Sequence, residues 1–158
     1  MANTQSMCTS FMGELLTATH NFGTAPTRGA STADTFKAAL YLTTATVNAS
    51  TTAYSATNEV SGTNYTAGGV SISSWATPTA TNSSATAGVA FTTPAASITY
   101  TNVTLSTAFN CVLIYNSTQS NKAVSVHTFS SQTITAGTFT LTMPTNNTTN
   151  ALLRLATT

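Results

Sequence analysis

From Thr35 onward, apolar and polar residues alternate with a period of two in a series of short runs. A period of two is typical of a half-buried β-strand. The first run, "TFKAALYLTT", predicts an inward row and an outward row: Phe36, Ala38, Leu40 and Leu42 against Lys37, Ala39 and Tyr41. The chain lacks strand–helix alternation and fixed-length repeats, which disfavours a parallel sheet and a solenoid.

Further short runs follow at intervals of roughly 8–15 residues, separated by turn residues. They are "NEVSG", "VSISSW", "VAFTT", "SITYTNVTLS", "AFNCVLIYN", "AVSVHTF", "QTITAGTFTLTM" and "ALLRLA". A change of parity after Tyr100 predicts a bulge, and the doubly apolar "AFNCVLIYN" predicts a central strand. "SWATPTATNSSATAG" predicts a polar loop, and Gly68–Gly69 predicts a turn with positive φ. About eight short strands predict an all-β fold, an antiparallel β-sandwich or jelly roll.

Residues 1–34 differ from the remainder and predict a short N-terminal helix and an arm, while residues 35–158 are predicted to form the β-sandwich domain. In "CTSFMGELLTATHNF", Phe11, Leu15 and Leu16 recur at helical spacing, and Ser10 is a candidate N-cap. "GTAPTRGASTAD" predicts a loop or arm. The helix either closes one end of the sandwich or reaches, with the arm, onto a neighbouring subunit, and the sequence favours neither.

Only 4 % of the residues are charged, against about 25 % in ordinary soluble domains. Thr makes up about a quarter of the chain and, with Ser, Asn and Ala, takes the place of Lys and Glu. A Thr-rich strand surface is hydrated without electrostatic self-repulsion, but an uncharged β-edge is poorly protected against pairing. We therefore expect partner subunits to cover the edges and the protein to be a homo-oligomer.

The four basic residues are scattered, and the net charge is +1: Arg28, Lys37, Lys122 and Arg154. Neutralising several phosphates needs a basic face, so nucleic acid is not an expected partner. The longest apolar run, "CVLIY", is far shorter than the ~20 residues of a membrane span, so no membrane association is expected. The start of the chain lacks a basic segment followed by an apolar stretch, which indicates cytoplasmic synthesis rather than secretion.

Acid–base catalysis requires titratable groups poised at one site. Of the carboxylates Glu14, Asp34 and Glu59, only Glu59 lies in the predicted sandwich, which excludes a pair of core carboxylates of the glycosidase kind. His127 is expected at an outward surface position, and neither His127 nor His20 accompanies a "GxSxG" motif. The sequence therefore predicts no catalytic residue and no enzyme.

Four other residues have a structural and a functional interpretation each. Cys8 and Cys111 lack the spacing of zinc ligands and are expected to be buried free thiols, so no metal and no cofactor is predicted. Trp75 is either a plug at the end of the core or a platform for a sugar, and the core role is favoured. Glu59 is expected to pair with a basic residue or to accept backbone amide hydrogen bonds at the Gly62 turn.

Four segments resemble a family of small virion proteins of tailed bacteriophages, and in order they cover nearly the whole chain. They are "CTSFMGELLTATHNF", "TFKAALYLTTATVNASTTAYSATNEVSGTNYTAGG", "LIYNSTQSNKAVSV" and "TAGTFTLTMP…ALLRLA". The resemblance implies a non-enzymatic part of the virion, synthesised in the host cytoplasm, and we expect a capsid decoration (cement) protein that braces the major capsid lattice. The implied partners are the major capsid protein or other virion proteins.

Under this interpretation the apolar residues of the N-terminal segment are the candidate partner contacts: Phe11, Leu15, Leu16 and Phe22. The alternative is a neck, tail or fibre component, with receptor binding as one role. An ice-binding surface is disfavoured because Thr-x-Thr runs such as "TFTLT" occur without a regular periodic array.

Overall fold

The computed structural model describes residues 3–16, 18–22, 33–81 and 88–156; the side chain of Leu16 and residues 23–32 of the predicted arm lie outside this description. The described residues form one helix, α1 (Thr9–Leu16), and eight strands in two antiparallel sheets, which confirms the all-β prediction. None of the helical structure in these ranges has the length and apolarity needed to cross a bilayer.

The larger sheet has five strands and contributes most of the buried core. Its members, in spatial order, are β1 (Ser6–Met7), β7 (Lys122–Leu141), β6 (Ile98–Asn116), β2 (Phe36–Leu42) and β3 (Val70–Ile72). The smaller sheet consists of β4 (Thr79–Thr81), β5 (Val89–Thr92) and β8 (Leu153–Ala156). The C-terminal run "ALLRLA" contains strand β8, as predicted. Leu153 of this strand belongs to the same buried core as the larger sheet.

Strands β6 and β7 form one long hairpin, and each contains two runs that look like separate strands in the sequence. The register shifts between Tyr100 and Val103, which confirms the predicted bulge, and Asn102 has a φ of 52° there. A bulge changes the parity of the side chains without ending the strand. Four predicted short strands are therefore two strands of 19 and 20 residues.

Strand β2 lies between β6 and β3 and is buried on both faces. The prediction that Ala39 and Tyr41 point to solvent is wrong, since their exposed fractions are 0 % and 2 %. The loop between β2 and β3 covers this second face, and Tyr41 donates a hydrogen bond to the Ser55 carbonyl in it at 2.6 Å. Local alternation cannot reveal a loop that folds back from later in the chain.

Two other predictions of local structure are wrong. "NEVSG" is a loop that meets the sheet at one bridge, between Glu59 and Tyr41. Conversely, the stretch predicted as a polar loop contains β4, whose three residues are all exposed and which forms because it pairs with β5. In both places a pairing partner, rather than the local pattern, decides the structure.

The N-terminal segment packs on the β7 side of the larger sheet. β1 pairs with Ser125 and Val126, and Cys8 and Phe11 are buried in the core. The helix begins at Thr9, so Ser10 lies inside the first turn and is not the N-cap. Within the described residues, α1 therefore packs against the larger sheet of its own chain.

Gly69 lies in the predicted turn and has a φ of +72°, and a Cβ built there would lie 1.7 Å from the Ala38 carbonyl oxygen. We expect Gly69→Ala to lower the free energy of unfolding by roughly 3 kcal/mol or more, because backbone strain and overlap with β2 add. Urea unfolding measures this cost. At Gly137 the nearest contact is a methyl of Ile134 at 3.1 Å, so Gly137→Ala should cost about 1 kcal/mol or less. If Gly69→Ala and Gly137→Ala lowered the free energy of unfolding equally, the overlap and backbone strain described at Gly69 would be contradicted.

Candidate functional site

Most of the described ionisable side chains concentrate in two clusters, and the first joins the N-terminal segment to the turn of the β6–β7 hairpin. This anchor cluster consists of Glu14, His20, Asp34, Asn116 and Lys122. Glu14 accepts a hydrogen bond from Lys122 Nζ at 2.7 Å, and its other oxygen lies 2.7 Å from His20 Nε2. Burial alone would raise the pKa of the Glu14 carboxyl, but the hydrogen bonds from Lys122 and His20 and the charge of Lys122 outweigh burial and lower it.

The hydrogen bonds of His20 fix the position of its ring proton. Asn116 Oδ1 accepts from the backbone N–H groups of Thr118 and Gln119, both at 3.1 Å, so Asn116 Nδ2 faces the histidine. Nδ2 donates to His20 Nδ1 at 3.0 Å, which leaves the ring proton on Nε2, facing Glu14. The His20 side chain has an exposed fraction of 0 %, so neither nitrogen is available to a substrate.

Asp34 accepts three hydrogen bonds from its own chain. The donors are the backbone N–H of Asn21 at 2.9 Å, Asn116 Nδ2 at 2.7 Å and Gln119 Nε2 at 3.2 Å. A carboxylate saturated in this way fastens segments together. The anchor cluster therefore holds α1 and the start of β2 against the hairpin turn.

Glu59 is the centre of the second cluster, here called the tyrosine cluster, which contains all five tyrosines of the chain: Tyr41, Tyr54, Tyr65, Tyr100 and Tyr115. Tyr54 donates to Oε2 at 2.6 Å and Tyr65 to Oε1 at 2.7 Å. The backbone N–H of Gly68 donates to Oε1 at 2.8 Å. The sequence predicted a backbone amide of the Gly62 turn as a partner of Glu59. The amide that donates belongs to Gly68 instead. The two tyrosine hydroxyls that donate to Glu59 were not predicted.

The other hydroxyls of the tyrosine cluster donate to backbone carbonyls. Tyr100 donates to Ala38 at 2.7 Å, and Tyr115 donates to Gly68 at 2.8 Å. The Tyr115 ring also stacks on Tyr54 at a centroid distance of 4.8 Å. The tyrosine cluster therefore fixes the loop between β2 and β3 onto β6.

Burial, and after it the negative charge of Glu59, raises the pKa of the tyrosines above the usual value. The pKa of Tyr115 rises to about 12, and those of the other four also rise. All five phenols are thus protonated hydrogen-bond donors at neutral pH. None is poised as a base.

His127 is half-buried, so the prediction of an exposed surface imidazole is wrong. Its Nε2 lies 2.9 Å from Ser125 Oγ, and burial lowers the pKa of the imidazole to about 4. A base with so low a pKa is weak at neutral pH, and Ser125 has an exposed fraction of 2 %. His127 also lines an open cavity of about 260 Å³ with mostly apolar walls, which include Ile98, Phe139, Leu141 and Met143.

Trp75 packs edge-on against Phe22 and Phe36, with centroid distances of 4.8 and 5.4 Å. This packing agrees with a core role, but Trp75 is half-buried and also lines a cavity of about 390 Å³. Ser71, Ser73, Ser74 and Asp34 are among the other lining residues. The indole Nε1 is buried and has no hydrogen-bond partner among the described residues.

Cys8 and Cys111 are free and have exposed fractions of 0 %, which confirms the prediction of buried thiols. Burial, helped at Cys8 by the charge of Glu14, raises the pKa of Cys8 to about 11, and burial raises that of Cys111 to about 12. Both thiols are thus protonated at neutral pH, which makes them poor nucleophiles. Within the described ranges, no three His, Cys, Asp or Glu side chains converge as metal ligands would.

The residues predicted as partner contacts lie partly inside their own chain. Phe11 has an exposed fraction of 2 % and contacts the His20 ring at 4.9 Å. Leu15 is half-buried against the core, and Phe22 stacks on Phe36 at 4.5 Å. The side chain of Leu16 lies outside the described residues. A partner role for these four stays a prediction.

Comparisons of the chain with family models, with curated proteins and with solved structures found no match. What the protein can do chemically is therefore inferred from the arrangement of its described ionisable groups. The three carboxylates each accept two or more hydrogen bonds from groups of their own chain, and the tyrosines and thiols are protonated.

The raised pKa values predict loss of stability at alkaline pH. A phenol whose pKa is higher in the folded state stabilises that state fully below the unfolded value of about 10, and this contribution is lost as the pH rises above it. We expect tyrosinate absorbance at 295 nm to appear together with loss of the β-type circular dichroism. The chain unfolded in urea is the control and should titrate near pH 10. Ionisation of all five tyrosines near pH 10 in the folded protein would contradict the tyrosine cluster.

Proposed function

We propose that the chain is a non-enzymatic structural protein of a tailed-bacteriophage virion, and that it decorates the outside of the capsid and braces the major capsid lattice. Membership of the virion is supported by the resemblance of the four segments quoted in the sequence analysis. The bracing role is supported by the described residues, which place ionisable groups in internal contacts and leave a neutral hydroxyl-rich exterior.

The proposal rests on one observation: each of the three carboxylates accepts hydrogen bonds from donors of its own chain. Glu14 and Asp34 fasten the N-terminal segment, and Glu59 fastens the loop between β2 and β3. The same acids that would serve as general acid or base in an enzyme are committed to holding segments of the fold together. This favours a mechanical role over a chemical one.

The exposed face of the β6–β7 hairpin supports contact with protein over contact with DNA. Thr99, Thr101, Thr138 and Thr140 are exposed there, and no charged residue lies between Lys122 and Arg154. A neutral face of hydroxyls and methyls makes contacts that depend little on salt. Such contacts suit a protein that stays on a shell at varied ionic strength.

The helix α1 offers an exposed apolar side chain for anchoring. Met12 has an exposed fraction of 49 %, while its neighbour Phe11 is buried. Deleting residues 1–33 would also remove core residues such as Cys8 and Phe11, so point substitutions test the anchor more cleanly. Leu155 on β8, with an exposed fraction of 42 %, is a matched control.

The first measurement is the location and copy number of the chain in intact particles of the virus that encodes it. A decoration protein is expected in hundreds of copies on the capsid, whereas a ring at the neck is expected in about six or twelve copies. Quantitative gel densitometry of purified virions distinguishes the two. Absence of the chain from virions would refute the proposal.

We further predict that Met12→Glu weakens binding to purified capsids at least ten-fold, because it places a charge in an apolar contact. Leu155→Glu should leave binding unchanged, and co-sedimentation with capsids measures both. Equal effects of the two substitutions would contradict anchoring through α1.

A fibre component that binds a host glycan is the second candidate, and the cavity beside Trp75 favours it. The cavity is lined by an aromatic ring and several hydroxyls, which are groups that contact sugars. Trp75 is the sole tryptophan, so its fluorescence reports this cavity directly. A saturable change in emission with a panel of simple sugars, absent in a Ser73→Leu variant, would favour this function over decoration.

A further inference from the structure

The outer edge of β7, meaning the side of residues 128–141 that faces away from β6, is unpaired within the described part of the chain. β7 pairs with β6 from Lys122 to Leu141, whereas on the other side β1 reaches only Ser125 and Val126. An edge of this kind presents backbone N–H and C=O groups over about 40 Å and is a template for another strand.

Proteins usually protect such edges with charges, prolines or bulges. Here no Lys, Arg, Asp or Glu lies between Lys122 and Arg154, and Pro144 comes only after the strand has ended. Register shifts interrupt β7 up to Gly137, but the pairing with β6 is regular from Phe139 to Leu141. The unprotected part of the edge is therefore its end, residues 139–141. With the flanking residues Thr138 and Thr142, this segment reads "TFTLT".

This segment has the same order of polar and apolar residues in both directions. If an antiparallel copy is placed by a two-fold axis at Thr140, Thr140 faces its own equivalent and Phe139 faces Leu141. Thr138 then faces Thr142. Because side chains alternate between the faces of a sheet, this register keeps the threonines on the solvent face and the apolar residues on the core face.

The core face next to this edge has unfilled apolar space. Phe139, Leu141 and Met143 are half-buried and line the open cavity of about 260 Å³. In the two-fold arrangement, the apolar row of the second copy continues this surface. A second copy therefore brings apolar side chains next to the cavity.

We propose that a second copy of this chain docks antiparallel along residues 138–142 and joins the two larger sheets into one continuous sheet. Because residues 138–142 have the same order of polar and apolar residues in both directions, an antiparallel second copy places threonine opposite threonine and apolar residue opposite apolar residue. A strand of another protein would have this pattern only by chance. The absence of Lys, Arg, Asp and Glu from residues 128–142 also removes like-charge repulsion between the copies. This contact goes beyond the virion role and does not depend on it.

The test is a charge placed at the two-fold position. Thr140→Lys sets two ammonium groups on residues whose Cβ atoms are roughly 5 Å apart across the contact. We expect the dissociation constant of the dimer, measured by sedimentation equilibrium in about 0.15 M salt, to rise at least ten-fold. Thr140→Glu should have the same effect, and an equimolar mixture of the two variants should restore the dimer.

Thr99→Lys is the matched control. Thr99 is exposed and pairs directly with Thr140 on the neighbouring strand, so the same charge is added to the same face. In the proposed dimer the two copies of residue 99 are three strand spacings apart, about 14 Å, which exceeds the Debye length of about 8 Å at this salt. The Thr99→Lys dimer should therefore be as stable as the unsubstituted one.

Three results would overturn the proposal: an unsubstituted chain that stays monomeric at all concentrations, equal weakening by Thr99→Lys and Thr140→Lys, or a charge-swapped mixture that does not associate. Circular dichroism and thermal unfolding establish that each variant is folded, and both substitutions are on exposed side chains. The copy number in virions is a separate readout, so failure of this contact is distinguishable from failure of the virion assignment.

Discussion

The antiparallel pairing of β6 with β7 is the interaction on which the other parts of the structure depend. β2 pairs with β6, while β1 and α1 pack on β7. The anchor cluster uses Asn116 and Lys122 at the turn of this hairpin, and the tyrosine cluster uses Tyr100 and Tyr115 on β6. The hairpin is thus the frame to which both the N-terminal segment and the long loop are attached by hydrogen-bonded polar groups.

A chain with three carboxylates must place each one with care, because a half-buried carboxylate without donors is costly. Here phenols, amides, an imidazole and an ammonium group supply the donors. In this arrangement the few charged groups act between distant segments, while threonine hydroxyls keep the exterior hydrated. This division of labour underlies the proposed bracing role.

The fold class, the central strand "AFNCVLIYN", the bulge after Tyr100 and the Gly68–Gly69 turn were predictable because each has a local signal. The continuity of β6 and β7 was not, since a bulge and a strand end look alike in sequence. Burial of Ala39 and Tyr41 depends on a loop from later in the chain. The two clusters were also missed: Glu14 and Lys122 are 108 residues apart, and Glu59 meets Tyr54 and Tyr65 only because the loop folds back. Contacts of this kind leave no periodic pattern in the sequence.

The attachment of the N-terminal segment to the hairpin also sets an order of events during synthesis. Asn3 bonds to Asn110 across 107 positions, and β1 pairs with residues 125–126, so this segment is synthesised well before the residues that it contacts. Contacts of such long range make folding slow and prevent the N-terminal segment from docking until the hairpin has been made. During that interval Cys8 and Phe11 are uncovered, and the nascent chain is more open to non-native association than the finished protein.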